Sequence, residues 1–224
     1  MRSRSQSIDN HILFPGSPWP KGHAIKDFCW SAELRKDARI WCHLHLKSEP
    51  YGASDLDQDE PASENASNWQ SKNVWNNYGS CTLSSTQWGH SGFVVGTPEE
   101  PFDLDSMSGY TFEVDSMPFN LEDQPSFGIY CQGHDTVAGH QISFLKDDAG
   151  WAIDWSARIA LTYLGGQEFD HRLVARMTGA HFDGIALSHE FASEDAVEVL
   201  SRCVVNSGKY TLETTEFESH FRIR

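Results

Sequence analysis

Cysteine is sparse in this 224-residue chain, and none of it is arranged in pairs. The five cysteines lie far apart, and no two of them are separated by only two residues. This spacing excludes the Cys-x-x-Cys arrangements typical of zinc and thiol redox sites. The odd number and wide scatter indicate reduced, mostly buried side chains.

Long apolar runs are also absent. No segment approaches the roughly 18 uninterrupted apolar residues of a membrane-spanning helix. The basic start of the chain is not followed by the apolar run of a signal peptide. We therefore expect a soluble cytoplasmic protein that does not bind membranes.

Basic residues are few. The chain has 17 lysines and arginines and 32 acidic residues, which gives a formal net charge of −15 at pH 7. The mean field repels phosphate backbones, so nucleic acid is excluded as a partner. The same charge is compatible with one further hypothesis, an acidic protein that neutralises a basic partner.

The motifs of common enzyme classes are missing as well. There is no Gly-rich loop followed by Lys and Ser or Thr, and no Gly-x-Gly-x-x-Gly, so the usual cradles for nucleotide phosphates are absent. Gly89-His90-Ser91-Gly92 is one residue too short for a nucleophile elbow. The chemistry must therefore be sought in less standard patterns.

A β-hairpin is the clearest local structure in the sequence. Apolar and polar residues alternate from Ile153 to Tyr163, Gly165 and Gly166 follow, and alternation resumes to Met177. A three-residue loop would keep one face apolar and bury Ile159 and Leu161, whereas a two-residue loop would reverse the second strand. The predicted cross-strand pairs are Tyr163 with Phe169, Leu161 with His171, Ile159 with Leu173, Ala157 with Ala175 and Trp155 with Met177.

About ten short strands predict a mainly β protein. The expected architecture is a two-layer antiparallel β-sandwich, and the jelly roll is one form that it can take. Residues 1–26 carry many prolines and glycines and predict an irregular N-terminal arm. Residues 27–224 predict one β-sandwich domain, with an acidic solvated loop at 48–73. One C-terminal helix is expected over 194–204, capped by Ser193, with Leu200 and Cys203 facing the sheet.

One pattern indicates a metal site. His43 and His45 lie two residues apart on a predicted strand, so their imidazoles share one face, and Glu49 follows at the strand end. This His-x-His-x3-Glu fragment resembles the first half of the cupin metal motif. The resemblance implies a cupin-like metal-dependent enzyme with one divalent transition metal, and His134 or His140 are candidate further ligands.

A competing argument comes from the residues that alternate with these histidines. Cys42, Leu44 and Leu46 need the interior of the protein, which turns His43 and His45 away from the core. In this interpretation the histidines lie on an outer face, no cofactor is bound, and the protein is not an enzyme.

Aromatic residues are abundant, with eight tryptophans and 12% aromatics overall. Polar surroundings predict surface positions for Trp69, Trp75 and Trp88, and a position near the turn before the hairpin predicts one for Trp151. Exposed tryptophans commonly stack on sugar rings or grip a protein partner. The leading hypothesis is therefore a non-enzymatic β-sandwich that binds a protein or a saccharide through these side chains.

Overall fold

The computed structural model describes residues 10–53, 67–148, 150–188, 191, 193–215 and 219–223, and the side chains of 193 and 194 are left out of the description. Thirteen strands lie within these residues: β1 (His11–Leu13), β2 (His23–Leu34), β3 (Ile40–Ser48), β4 (Thr82–Ser84), β5 (Phe93–Gly96), β6 (Thr111–Val114), β7 (Gly128–Tyr130), β8 (His134–Asp147), β9 (Gly150–Ala160), β10 (His171–Ala180), β11 (Ile185–Leu187), β12 (Tyr210–Thr214) and β13 (Ser219–Ile223). The described helices are α1 (Lys72–Tyr78) and α2 (Ser193–Cys203), with short 3₁₀ helices at Asn68–Gln70, Asp105–Met107, Thr162–Leu164 and Ser207–Lys209.

Eight of the strands close into an antiparallel barrel, in the order β2, β1, β10, β9, β8, β7, β4 and β3. Closure follows because β2 pairs with β1 on one side and with β3 on the other. The protein is mainly β, as predicted, but the predicted two-layer sandwich is wrong. Alternation along a strand specifies which face is buried, and it carries no information on which strands become neighbours.

The barrel is filled rather than hollow. Alternate side chains of the ring strands are buried, including Trp30, Leu44, Leu46, Leu83, Ile129, Ile142, Trp155 and Ile159. An eight-stranded barrel leaves an interior just wide enough for side chains to fill. Any ligand must therefore bind at an end or on the outer surface.

The predicted hairpin exists as β9 and β10, with the predicted faces but different pairs. Ala157 lies opposite Leu173, two residues away from the predicted partner. The strands end early because the 3₁₀ helix at Thr162–Leu164 lengthens the connection. A shift of two residues keeps every side chain on its face. Ile159 is fully buried as predicted, whereas Leu161 is only partly buried.

The predicted irregular arm differs from the structure at residues 11–13 and 23–26, which belong to the ring strands β1 and β2, whereas residues 14–22 between them form irregular turns. Ile12, Phe14 and Trp19 are buried in the barrel. In the predicted acidic loop, residues 54–66 lie outside the described part, and the remainder ends in α1, a helix that the sequence did not predict.

The predicted C-terminal helix is confirmed as α2, and Leu200 and Cys203 are buried as expected. The predicted Ser193 cap involves a side chain outside the description. Beside the ring, β11 pairs in parallel with β2 and continues through β13 to β12. No helix in the described residues is long and apolar enough to cross a lipid bilayer.

Candidate functional site

The predicted metal ligands do not converge. Cys42, Leu44 and Leu46 face the barrel interior, which places His43 and His45 on the outer face of β3, as the competing argument predicts. Across the described residues, no three His, Cys, Asp or Glu side chains form a group that could hold a metal ion. The alternative site of His43, His45 and Glu49, extended by His134 or His140, is therefore not assembled here.

His43 belongs instead to a network that resembles a catalytic triad in composition. Its Nδ1 lies 3.2 Å from Ser85 Oγ, and its Nε2 lies 3.4 Å from Glu33 Oε2. Ser85 is completely buried, and its hydroxyl donates to the carbonyl oxygen of Leu44 at 3.2 Å. A nucleophile must reach its substrate, so this serine is a structural residue.

The charges of this network also have a structural role. The pKa of Glu33 is lowered to about 2 by the hydrogen bond from His43 and by Arg35. Arg35 also donates to the carbonyl oxygen of Ser91 and lies 4.4 Å from the ring centroid of Trp41. Through these contacts Arg35 connects Ser91, in the segment after β4, to Glu33 on β2 and Trp41 on β3.

His140 is sealed inside the barrel. Trp155 Nε1 donates to its Nδ1 at 3.1 Å, and burial lowers its pKa to about 3. Its Nε2 has no hydrogen-bond partner and lies 3.8 Å from a carboxylate oxygen of Asp115. His134 lies elsewhere, on the surface at the start of β8.

Three of the four tryptophans expected at the surface are buried. Trp69 and Trp75 are 4% and 0% exposed, and they belong to a buried aromatic cluster that closes one end of the barrel. The cluster consists of Phe14, Trp19, His23, Tyr51, Trp69 and Trp75. Trp151 is 5% exposed because it packs edge-to-face on Trp30. Polar neighbours in sequence did not reveal these tertiary contacts.

Trp88 is exposed, and it begins a row of ring contacts along the surface. We call this row the exposed aromatic strip: Trp88, His134, Tyr130, Tyr78 and Tyr163. The ring centroids lie 5.1 Å apart from Trp88 to His134, 5.2 Å from His134 to Tyr130, and 6.2 Å for each of the last two steps. Trp88 is 44% exposed and Tyr163 is 62% exposed.

Two glycines let the ends of the strip lie against the backbone. A Cβ atom at Gly128 would lie 2.7 Å from the Trp88 ring, and one at Gly133 would lie 2.4 Å from the Tyr163 ring. These distances are too short for any side chain larger than hydrogen. The Asp135 carboxylate accepts the Tyr163 N–H at 3.2 Å and thereby anchors that end of the strip.

Sequence reasoning missed most of the strip. Tyr163 was expected to pair with Phe169 inside the hairpin, yet it lies on the surface in the 3₁₀ helix. The usable signal was the closeness of both tyrosines to glycines, since Tyr130 lies between Gly128 and Gly133 and Tyr163 is followed by Gly165. Comparison of the chain with protein-family models, curated proteins and solved structures found no match.

Proposed function

We propose that this protein binds a saccharide through the exposed aromatic strip. The observation that carries the proposal is the row of ring contacts from Trp88 to Tyr163, in which Trp88, His134 and Tyr163 are exposed and Tyr130 and Tyr78 are partly buried. Exposed apolar groups in a contiguous row mark interaction sites more often than scattered ones do.

The chemistry of these side chains suits a sugar. A pyranose ring has an apolar C–H face and a rim of hydroxyl groups, and an aromatic side chain can stack on that face. In the described residues, no hydrogen-bond partner is found for the hydroxyl groups of Tyr78, Tyr130 and Tyr163 or for the indole N–H of Trp88. The polar edges of the exposed Trp88 and Tyr163 are therefore available to bind the hydroxyl rim of a stacked sugar.

The strip is also held in place before any ligand arrives. Tyr130 ends β7, His134 begins β8 and Tyr78 ends α1, so three of its rings stand on regular elements. Trp88 has a φ of +56°, a left-handed conformation that is uncommon for a bulky residue. Such conformations cluster at ligand sites, where the surrounding structure maintains them. Rigid aromatic groups lose little entropy on binding.

A single row favours a saccharide chain over a folded protein partner. A stable protein interface buries about 800 Å² on each partner around a broad apolar core. The strip is one ring wide, and none of its side chains is acidic or a lysine or arginine. Because neighbouring rings of the strip stand edge-to-face, a linear oligosaccharide can stack on the face of one ring and contact the edge of the next.

The proposal is tested by calorimetric titration of the full chain with cellohexaose, chitohexaose, xylohexaose and maltohexaose. At least one of them is expected to bind, and Trp88→Ala and Tyr163→Ala should each weaken it about ten-fold, which corresponds to about 1.4 kcal/mol. The matched control is Tyr110→Ala, because Tyr110 is 58% exposed outside the strip.

Two results would contradict the proposal. One is the absence of binding by all four sugars, with capture of a protein partner that depends on Trp88. The other is binding that Tyr110→Ala weakens as much as the two strip substitutions do.

A further inference from the structure

Two arginines face each other on the outer surface of the β9–β10 hairpin. Arg158 lies directly opposite Arg172 in the strand register, and both are exposed. Like charges at directly opposed positions of a sheet destabilise it. The next charged pair on the same face is complementary, because Arg176 lies opposite Asp154 and forms an ion pair with it at 3.6 Å.

Neither of the two arginines is neutralised. Throughout the described part of the chain, no carboxylate lies within ion-pair distance of Arg158 or Arg172. Arg158 Nη1 makes one long contact, 3.4 Å to the carbonyl oxygen of Phe169. Two unpaired guanidinium groups side by side are unexpected in a chain with a net charge of −15.

The two arginines border a polar groove of about 430 Å³. Hydroxyl groups of Ser116 and Ser156 also line it, and each can donate a hydrogen bond to an anion. Glu113 is the acidic residue of its lining, and Gln141 Nε2 donates to that carboxylate at 3.0 Å. The groove therefore combines two free cations with neutral donors.

We propose that Arg158 and Arg172 together bind the phosphate group of a phosphorylated small molecule. A guanidinium group presents a planar fork of N–H donors, and one fork matches two oxygens of an anion. A carboxylate has only two oxygens, which one fork already occupies, whereas a phosphate group offers three. A phosphate monoester carries a charge of about −1.5 to −2 at pH 7, which matches the two arginines. This surface is separate from the exposed aromatic strip, and the inference is independent of saccharide binding.

The test is titration of the full chain with inorganic phosphate, followed by calorimetry, with succinate as the carboxylate probe. Phosphate is expected to bind at one site, more tightly than succinate. Arg158→Gln and Arg172→Gln should each weaken phosphate binding about ten-fold. Arg176→Gln is the matched control, because that arginine is exposed on the same face but already paired. Glu113→Gln should tighten binding, since it removes the nearby negative charge.

A second measurement uses the protein without ligand. Each single substitution removes one of two repelling charges, so Arg158→Gln and Arg172→Gln should raise the melting temperature by roughly 1–3 °C. Arg176→Gln removes an attractive pair and should not raise it. The inference is overturned if phosphate does not bind saturably, if succinate binds more tightly, or if Arg176→Gln weakens phosphate binding as much as the other two.

Discussion

Two groups of aromatic side chains meet at one end of this barrel, and they differ in what their polar edges do. In the buried aromatic cluster, Trp75 Nε1 donates to the carbonyl oxygen of Trp69 at 2.7 Å, and Trp69 Nε1 donates to that of Pro15 at 3.1 Å. The Tyr51 hydroxyl donates to the carbonyl oxygen of Cys131 at 3.1 Å. These three donors are satisfied inside the protein, as burial favours, whereas Trp19 Nε1 and His23 Nε2 of the same cluster are buried with no hydrogen-bond partner in the described residues.

The rings of the exposed aromatic strip lie at similar distances from one another, but their polar atoms make no hydrogen bonds within the described residues. No hydrogen-bond partner is found in the described residues for its tyrosine hydroxyls or its indole N–H, and Trp88 and Tyr163 at its two ends are 44% and 62% exposed. Exposure separates the two groups more clearly than hydrogen bonding does, because Trp19 is buried although its Nε1 has no partner in the described residues, whereas Trp88 is 44% exposed and open to a ligand. The number of aromatic residues therefore says less about function than the exposure of their rings.

The largest expected effect comes from the buried cluster. Trp75→Ala removes a completely buried indole and leaves the Trp69 carbonyl without its donor. The free energy of unfolding should fall by roughly 3–5 kcal/mol, measured by urea denaturation. A loss below about 1 kcal/mol would show that this ring is not part of the core.

His23 makes the stability of the cluster depend on pH. Burial, and to a smaller extent His11, lowers its pKa from 6.5 to about 4. Between these values the unfolded chain binds the proton and the folded chain does not, so stability falls as pH drops from 6.5 towards 4. The loss from this group should reach roughly 2–3 kcal/mol. Because His140 contributes in the same direction, His23→Phe should flatten the pH dependence of stability without abolishing it; an unchanged profile would contradict this role.

A glycine tests the strip without removing any ring. In Gly128→Ala the new Cβ atom would lie 2.7 Å from the Trp88 ring and 2.4 Å from His90 Nε2. Trp88 must move, so sugar binding should weaken while the protein loses about 1–3 kcal/mol of stability. Gly79→Ala offers a comparison, because nothing lies within 4 Å of a Cβ atom at that position. Equal sugar affinity in Gly128→Ala and the parent would show that the position of Trp88 is immaterial.

The smallest effect on stability is expected from the strip itself. Trp88→Ala and Tyr163→Ala remove exposed rings whose polar edges are not bonded internally. Each should change the free energy of unfolding by about 1 kcal/mol or less, in contrast to Trp75→Ala. Destabilisation as large as that of Trp75→Ala would show that these rings belong to the core. It would contradict the separation of the strip from the buried aromatic cluster.

The sequence predicted which face of a strand is buried. It did not predict which strands pair with each other or at which residues the strands end. Alternation identified Ile159 and Leu44 as interior residues because the pleat of a strand has a period of two. Closure of the barrel depends on the pairing of β2 with β1, a contact that no local pattern encodes. Likewise, the polar surroundings of Trp69 in sequence concealed its stacking on His171, at 4.1 Å between ring centroids.

The same limit explains the candidate site. The exposed aromatic strip draws its residues from four separate segments of the chain, with Tyr130 and His134 paired across one hairpin, so most of its members share no spacing that a sequence search could detect. Trp88 was singled out as a surface aromatic residue because its neighbours in sequence are polar, whereas His134 was singled out only as a candidate metal ligand. Tyr163 was misplaced because the register of the hairpin depends on the length of the loop that contains it.

The most direct test of the central distinction is ¹⁹F NMR of the full chain labelled with fluorotryptophan, which gives one signal for each of the eight tryptophans. Single Trp→Phe variants would assign the signals of Trp69, Trp75 and Trp88. On titration with the four hexasaccharides, the account predicts that the Trp88 signal shifts with at least one sugar while the Trp69 and Trp75 signals stay in place. A titration that moves the Trp69 or Trp75 signal and leaves that of Trp88 unchanged, or that moves none of the eight, would contradict it.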